Sequence, residues 1–341
     1  MTKRLNIAIV GVTGAVGEAL LAGLQERDFP VDKLFPLASS RSIGKTVRFN
    51  NKQLDVIDLS TFDFNGVDIA LFSAGGAVSK EYAPIAAAAG CVVVDNTSCF
   101  RYDDDIPLVV PEVNPQRIAE YVNRGIIANP NCSTIQMVVA LKPLHDAVGI
   151  SRINVATYQA VSGTGKAAVS ELIAQVGELL NGRPVKSVIY PQQIAFNVIP
   201  HIDVFEDNGY TREEMKMVRE TRKILEDDTI MINPTTVRVP VLYGHSEAIH
   251  LELKSPLSVA EVRKLLMKAP GVKVVDDPAK LKYPTPIHHA VGHDDVFVGR
   301  IRQDISHPCG LNLWVVADNI RKGAATNAIQ IAEILQKEYL T

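Results

Sequence analysis

With 341 residues the chain is long enough for two domains, each with its own buried core. Apolar residues make up 47% and charged residues 21%, the balance of a soluble globular protein, and a net charge of −3 leaves nothing general to draw the chain to nucleic acid or to an anionic membrane. No apolar run reaches the ~18 residues of a membrane span; Met1-Thr2-Lys3-Arg4 leads straight into an apolar strand, and the four cysteines include no CxxC pair, so a cytoplasmic protein with reduced thiols is expected.

The first predicted strand, residues 5–10, ends in Gly11-Val12-Thr13-Gly14-Ala15-Val16-Gly17, after which Ala19, Leu20, Leu21 and Leu24 continue as a helix. Strand, glycine turn and helix in this order form a dinucleotide-binding unit, because the glycines let backbone N–H groups approach a pyrophosphate at the helix N-terminus. The second strand, residues 34–38, closes on Ser39-Ser40-Arg41-Ser42, where an NAD enzyme usually offers a carboxylate to the ribose. Hydroxyls and a guanidinium suit a 2′-phosphate, so the expected cofactor is NADP, although an exposed polar turn has the same composition. Residues 67–72, 91–94 and 126–128 are three further apolar strands at the rhythm of βαβ units. Ser73-Ala74-Gly75-Gly76 follows the first of them, small enough for a cofactor to lie against the backbone. Asn96 to Tyr102 follows the second, with Arg101 ahead of Asp103, Asp104 and Asp105: either an anion site or a surface arginine paired with that acidic run.

Asn129-Pro130-Asn131-Cys132-Ser133-Thr134 then opens a helix over residues 133–148, with Ile135, Val138, Val139 and Leu144 at helical spacing and Asn131 as a candidate cap. A cysteine at a helix start faces unpaired N–H groups and the positive end of the macrodipole. Both favour a thiolate and would later stabilise an oxyanion. Cys132 equally fits a small buried apolar side chain, and only its neighbours decide between the two.

From Arg152 the character changes to longer strands, at 153–161, 235–242, 247–253, 296–301 and 311–316. A turn, Ser162-Gly163-Thr164-Gly165-Lys166, and a helix over 167–180 follow the first of them; residues 181–210 show no periodicity. The helix over 211–226 carries Glu213 and Lys216 on one face, with the same spacing repeated at Glu220 and Lys223. Arg238, inside an apolar strand, costs desolvation unless an anion such as a ligand carboxylate pairs with it. His288, His289 and His293, followed by Asp294 and Asp295, read as a polar loop, and no metal site is expected. The fold class is therefore α/β: a doubly wound, Rossmann-type parallel sheet (residues 1–130 plus 319–341, to which a final helix over 320–340 returns) and a second α+β domain (131–318). The second domain's mixed or antiparallel sheet would bind substrate and pair in a dimer.

Taken together, Gly11-x-x-Gly14-x-x-Gly17, Ser73 to Gly76, Asn129 to Thr134, Gln159 within Thr-Tyr-Gln-Ala-Val-Ser-Gly, Arg238 to His245, and Ala317 to Ala324 resemble the aspartate-β-semialdehyde dehydrogenases over the full chain. The resemblance implies reversible reduction of L-aspartyl-4-phosphate with NADPH to the semialdehyde and phosphate, on the diaminopimelate route to lysine and towards threonine and methionine. It implies Cys132 as acyl-forming nucleophile and His245 as acid/base. Gln159 and Arg238 would position the substrate, Arg238 on its carboxylate, with Glu213 on its amine; Arg101, Lys216 and Asn131 would hold phosphate, with Glu220 and Lys223 as alternatives on the same helix. NADP would lie on Gly11, Thr13, Gly14, Ala15, Val16 and Gly17, on Ser39, Ser40, Arg41 and Ser42, on Ser73 and Gly75, and on Ser162, Gly163 and Asn319. In the oxidative direction a thiolate adds to the aldehyde, His245 accepts the hydroxyl proton, and loss of hydride leaves a thioester for phosphate to cleave. Two alternatives stand beside this: an N-acetylglutamyl phosphate reductase, whose substrate has no amine for Glu213, and a non-catalytic paralogue, expected to lack the nucleophile or base that this chain has. The expected partners are a small-molecule substrate and a second copy in a homodimer.

Overall fold

Leu5, Ile7, Ala8, Ile9 and Val10 are wholly buried, so the first strand, β1 (Leu5–Val10), is covered on both faces as a central parallel strand must be. In the computed structural model, which describes residues 3–340 and so leaves Met1, Thr2 and Thr341 outside, the chain continues through α1 (Ala15–Glu26) and β2 (Val31–Ala38). A hairpin, β3 (Thr46–Phe49) and β4 (Lys52–Asp55), and a short β5 (Ile57–Asp58) come next; nothing in the periodicity announces them. Then come β6 (Ile69–Phe72), α2 (Gly76–Ala88), β7 (Val92–Asp95) and β8 (Ile126–Ala128). The sheet order is β5-β2-β1-β6-β7-β8, parallel throughout. Strand order reverses between β1 and β6, and the C-terminal ends of those two strands are Val10 and Phe72, just ahead of Gly11 and Ser73. Ligands of a doubly wound sheet bind at such a reversal.

The second unit begins with α3 (Cys132–Val148), so Cys132 is itself the first helical residue. It continues through β9 (Ile150–Gln159), α4 (Lys166–Leu180), α5 (Arg212–Leu225), β10 (Met231–Arg238), β11 (His245–Leu253), α6 (Val259–Lys268), β12 (Val272–Val274), β13 (Val296–Gln303) and β14 (Gly310–Ala317). These strands form a mixed sheet, β10-β9-β11-β14-β13-β12, with α3, α5 and α6 packed on one face. A capping box starts α5: Thr211 Oγ1 accepts from the Glu214 N–H at 3.3 Å, and the Glu214 carboxylate accepts from the Thr211 N–H at 2.7 Å. On the opposite sheet face Tyr158 and Trp314 stack at a tilt, ring centroids 5.5 Å apart. Residues 181–210 contain no helix or strand of the named elements, and Val188, Phe196, Val198 and Phe205 are exposed along them.

Two expectations are corrected here. Arg238 does not sit inside a strand over 235–242; it ends β10, and His245 begins β11. Pro240 has no N–H for a ladder, and Gly244 takes a φ of 86°, so the chain turns between them. Likewise β9 stops at Gln159, and Val161 lies in a 3-10 turn pinned to the 239–244 connection by Val161 N–H to Val241 O at 2.9 Å and Ser162 N–H to Leu242 O at 3.1 Å.

The predicted terminal helix over 320–340 is present, helical without a break from Arg321 to Tyr339, but its winding changes along its length. A π turn (Arg321–Ala325) precedes α7 (Thr326–Ile334), and a second π turn (Leu335–Tyr339) follows it. The chain divides into two compact units at Asn131/Cys132 and again at Gly323/Ala324. The second division falls after residue 323 because Asp318 holds the start of this segment: its Oδ1 accepts from the N–H groups of Ile320 and Arg321, and its carbonyl from Gly323. From Ala324 the chain rejoins the first unit, where α7 packs on α1 and Gly23 makes room for Ile329; a Cβ at Gly23 would lie 2.6 Å from Ile329 Cδ1. Among the described residues no helix is long and apolar enough to cross a membrane.

Candidate active site

In the first unit, Gly11, Thr13, Gly14, Arg41, Ser42 and Ser73 line a cleft of about 460 Å³, which also takes in Ser39 and Ser40. Close packing builds its floor. A Cβ at Gly11 would lie 2.9 Å from the Ser73 carbonyl carbon, and one at Gly17 only 2.3 Å from the Gly11 oxygen. Ala15 and Val16 form the first turn of α1, and Gly75, at φ 97°, caps α2. Thr13 Oγ1 and Ser42 Oγ are 3.5 Å apart, and Arg41 stands exposed on the 3-10 turn Ser40–Ser42. Among the lining residues that sequence reasoning misses is Asp58, at the end of β5, whose Oδ1 accepts from both the N–H and the hydroxyl of Ser60. No pattern in the sequence brings residue 58 to the ends of β1 and β2.

Arg101, also in this unit, is buried, and its Nε donates to Asn129 O at 2.9 Å while Nη2 donates to Asn96 O at 2.8 Å. In the acidic run Asp103 and Asp105 pair with Arg124, at 2.8 and 3.4 Å. Asn131, buried, is the last residue of the unit before the chain crosses into the second.

The second unit gathers the other predicted residues. Cys132, half-buried at the start of α3, is packed against Gly323, where a Cβ would come within 2.7 Å of the Cys132 Cβ. At the end of β9, Gln159 accepts at Oε1 from the Thr157 hydroxyl, 3.1 Å, and donates from Nε2 to Glu213 Oε1, 3.0 Å. The other oxygen of Glu213 accepts from Lys216 Nζ at 3.0 Å, and Lys216 also reaches Asp203 at 2.9 Å. It is Glu213, in the first turn of α5, that meets Gln159; Glu220 is buried further along the same helix. Burial opposes the charge on Lys216, but Glu213 and Asp203 outweigh it and raise its pKa.

His245 is wholly buried, and its Nδ1 accepts from the Ala160 N–H at 3.0 Å. Burial first, then the adjacent Arg238 charge, lower its pKa from 6.5 to about 3, so the ring is neutral at pH 7. With Nδ1 accepting, the single proton of a neutral ring sits on Nε2. Arg238 Nη1 donates to Ala160 O at 2.6 Å, and the guanidinium lies 5.9 Å from the centre of the Tyr190 ring. Arg238 Nε and His245 Nε2 are buried without a hydrogen-bond partner among the described residues. Gly163 lies over both side chains, where a Cβ would come 3.2 Å from Arg238 Nη1 and 3.4 Å from His245 Nε2. Asn319 fixes this corner: Nδ2 donates to Ser162 Oγ at 3.0 Å, and Oδ1 accepts from the Gly244 N–H at 2.9 Å.

Sequence reasoning also misses one carboxyl on this face. Glu247, two residues after His245 on β11 and therefore on the same sheet face, is wholly buried; burial raises its pKa well above 4.5, the Gln136 amide beside it offsetting only part. Gln136, one helical turn beyond Cys132, is buried as well, and among the described residues neither side chain has a partner with hydrogen-bond geometry. The available signal is the alternation His245, Glu247, Ile249, Leu251, which puts a glutamate among inward residues. His289 and His293, by contrast, set their rings against Phe297, and no group of His, Cys, Asp and Glu among the described residues is disposed to hold a metal.

Comparison with known proteins gives two matching family models: a semialdehyde dehydrogenase NAD-binding domain over residues 6–121 and a semialdehyde dehydrogenase dimerisation domain over residues 141–322. The aspartate-semialdehyde dehydrogenase of Legionella pneumophila is 75% identical over 340 residues, covering 100% of this chain and 98% of the relative. Among solved structures, the Vibrio cholerae aspartate semialdehyde dehydrogenase II complexed with ASA superposes with a TM-score of 0.97 at 61% identity, covering 99% of each chain. The Candida albicans enzyme with NADP superposes at 0.77 and 25% identity, covering 99% of this chain and 100% of that one.

Proposed function

The chain belongs to the aspartate-semialdehyde dehydrogenase family, an oxidoreductase of amino-acid biosynthesis that binds a nicotinamide cofactor, and from that premise we propose that it uses NADP and a Cys132 thioester to interconvert L-aspartyl-4-phosphate and the semialdehyde, as a cytoplasmic homodimer on the diaminopimelate route to lysine and towards threonine and methionine. The cofactor reading is supported by the donor set of the first unit's cleft. Thr13, Ser39, Ser40 and Ser42 offer hydroxyls and Arg41 a cation, which together suit a phosphate on the ribose, and the first turn of α1 offers backbone N–H groups to a pyrophosphate. Asp58 brings a carboxylate to the lining, and one of its oxygens is already committed to Ser60. When bound, the nicotinamide supplies the two-electron oxidant or reductant.

In the reductive direction the Cys132 sulfur attacks the acyl carbon, the bond to phosphate breaks, and a thioester remains; after its reduction the carbon–sulfur bond breaks and the thiolate returns. His245 acts as a neutral ring whose Nε2–H donates a hydrogen bond to the substrate oxygen, where negative charge develops. To serve as a proton acceptor at Nε2 it must first give up the Ala160 contact at Nδ1, which narrows the acid/base role expected of it. Gln159 orients the substrate, Arg238 holds its carboxylate, and Arg101, Lys216 and Asn131 hold phosphate. A dimer through the second unit is supported by its family description and by the exposed apolar side chains of residues 188–205.

The observation that favours this substrate over an N-acetylated one is Glu213, a buried carboxylate beside Gln159, suited to a substrate ammonium. Turnover with NADP, phosphate and aspartate semialdehyde should exceed that with N-acetylglutamate semialdehyde by orders of magnitude. Comparable rates, or turnover without an acyl-enzyme on Cys132 by mass spectrometry, overturn the reading.

A further inference from the structure

Lys216 carries two carboxylates: Glu213 at 3.0 Å and Asp203 at 2.9 Å. One ammonium with two carboxylates leaves a net negative charge where the proposed function needs an anion to bind, so one carboxylate has to withdraw before phosphate can take a place on Nζ. Glu213 is ill suited to withdraw. Both of its oxygens are engaged, one with Gln159 and one with Lys216, and its side chain is 7% exposed. Asp203 stands at 27% exposure in the stretch without helix or strand, tied to its own loop by Oδ1 accepting from the Val204 N–H at 2.9 Å.

We propose that Asp203 is a competing counter-ion: it occupies the phosphate's place on Lys216 and swings aside as phosphate arrives, so that it sets the affinity of the site for phosphate. This rests on the reading of Lys216 as a phosphate ligand. With Glu213 already paired to Lys216, Asp203 is the second and more exposed carboxylate on the ammonium, and it can yield to an anion carrying more charge than its own. Only ligands able to displace it gain the site.

The test is steady-state kinetics of the full-length enzyme in the oxidative direction, with phosphate varied. Asp203→Asn is the informative variant, because position 203 has a φ of 68°, which asparagine tolerates, and its Oδ1 still accepts from Val204. The KM for phosphate should fall about three- to tenfold, the gain from removing one partly exposed competing ion pair. The KM for semialdehyde and the single burst of NADPH formed without phosphate should stay as in the wild type, and thermal melting should verify an intact fold. Lys216→Ala should raise the phosphate KM, and in that background Asp203→Asn should gain nothing. A phosphate KM that Asp203→Asn leaves unchanged or raises, while Lys216→Ala raises it, overturns the competing role alone. A phosphate KM indifferent to Lys216→Ala overturns the assignment of Lys216, and the proposal with it.

Discussion

The cleft of the first unit and the inner sheet face of the second reach polar ligands by opposite means. The cleft works by absence: Gly11 and Gly17 have no room for a methyl group, and what is offered to a ligand is backbone N–H, short hydroxyls and an exposed arginine. On the other face, long polar side chains are buried and held by one another, with Gln159 on Glu213, Glu213 on Lys216, and both Arg238 and His245 on the Ala160 peptide. The first arrangement needs few charges because the peptide dipoles of a helix start are already aligned and cost no reorganisation. The second exposes each group to desolvation and gives it strong, directional leverage in return. Added volume is the threat to the cleft, and a lost partner is the threat to the sheet face.

Cys132→Ser separates the two regions most sharply. Turnover should fall by about three orders of magnitude or more, because an alcohol is a far weaker nucleophile without a dedicated base, while NADP affinity measured by fluorescence titration stays within about twofold. A mutant that turns over like the wild type removes Cys132 from the chemistry. Arg238→Lys comes next: it keeps the charge but loses the planar fork, so kcat/KM for the semialdehyde should fall about a hundredfold. An unchanged kcat/KM would mean that Arg238 braces the Ala160 peptide without touching substrate.

Arg238 also marks how far the sequence can be read. The parallel strands and the glycine turn are legible because burial on both faces writes apolar runs, and β1, wholly buried but for Asn6, is such a run. Arg238 reads as anion-seeking, but its place at the end of its strand does not, since the apolar stretch Val239 to Leu242 has strand composition and only Pro240 and Gly244 betray the turn. Asp203 has no local signal at all. Its importance comes from meeting Lys216 across 13 residues of chain, a contact that tertiary packing alone creates. The break at Gly323 is equally hidden, because Asp318 holds the backbone of its neighbours with hydrogen bonds that carry no periodicity.

On the cleft side the corresponding probe is Arg41→Ala. The apparent NADP constant should rise about ten- to a hundredfold if one charge-assisted phosphate contact is lost, with little change for NAD. Equal use of NADP and NAD by the wild type would rule out a phosphate-reading role. Set beside Arg238→Lys, this variant probes the other way for an arginine to fail: an exposed guanidinium fails only by losing its charge, whereas a buried one fails even when the charge is kept.

The smallest effect on activity, and the finest test of the contrast, belongs to Glu247. It is wholly buried beside Gln136, one turn below the nucleophile, and burial raises its pKa well above 4.5, so folding favours the protonated acid. Glutamine has nearly the shape of that acid and is likewise a donor and acceptor, so Glu247→Gln should change kcat by no more than about threefold. Stability should respond differently. Between the ordinary pKa of 4.5 and the raised native value, the folded chain binds a proton that the unfolded chain has released, so wild-type stability falls as pH rises through that window. Glutamine has no proton to lose, and the melting temperature of Glu247→Gln relative to wild type should therefore climb as pH rises above 4.5. His245 tilts stability the opposite way: its native pKa of about 3 lies below 6.5, so stability is lost as pH falls through that interval, and because both proteins share this slope it cancels from the difference. A melting difference that stays flat with pH would mean that Glu247 is ionised in the folded chain. A kcat loss of about a hundredfold would mean that its charge is used at the sheet face, and that a carboxylate there is held for the reaction.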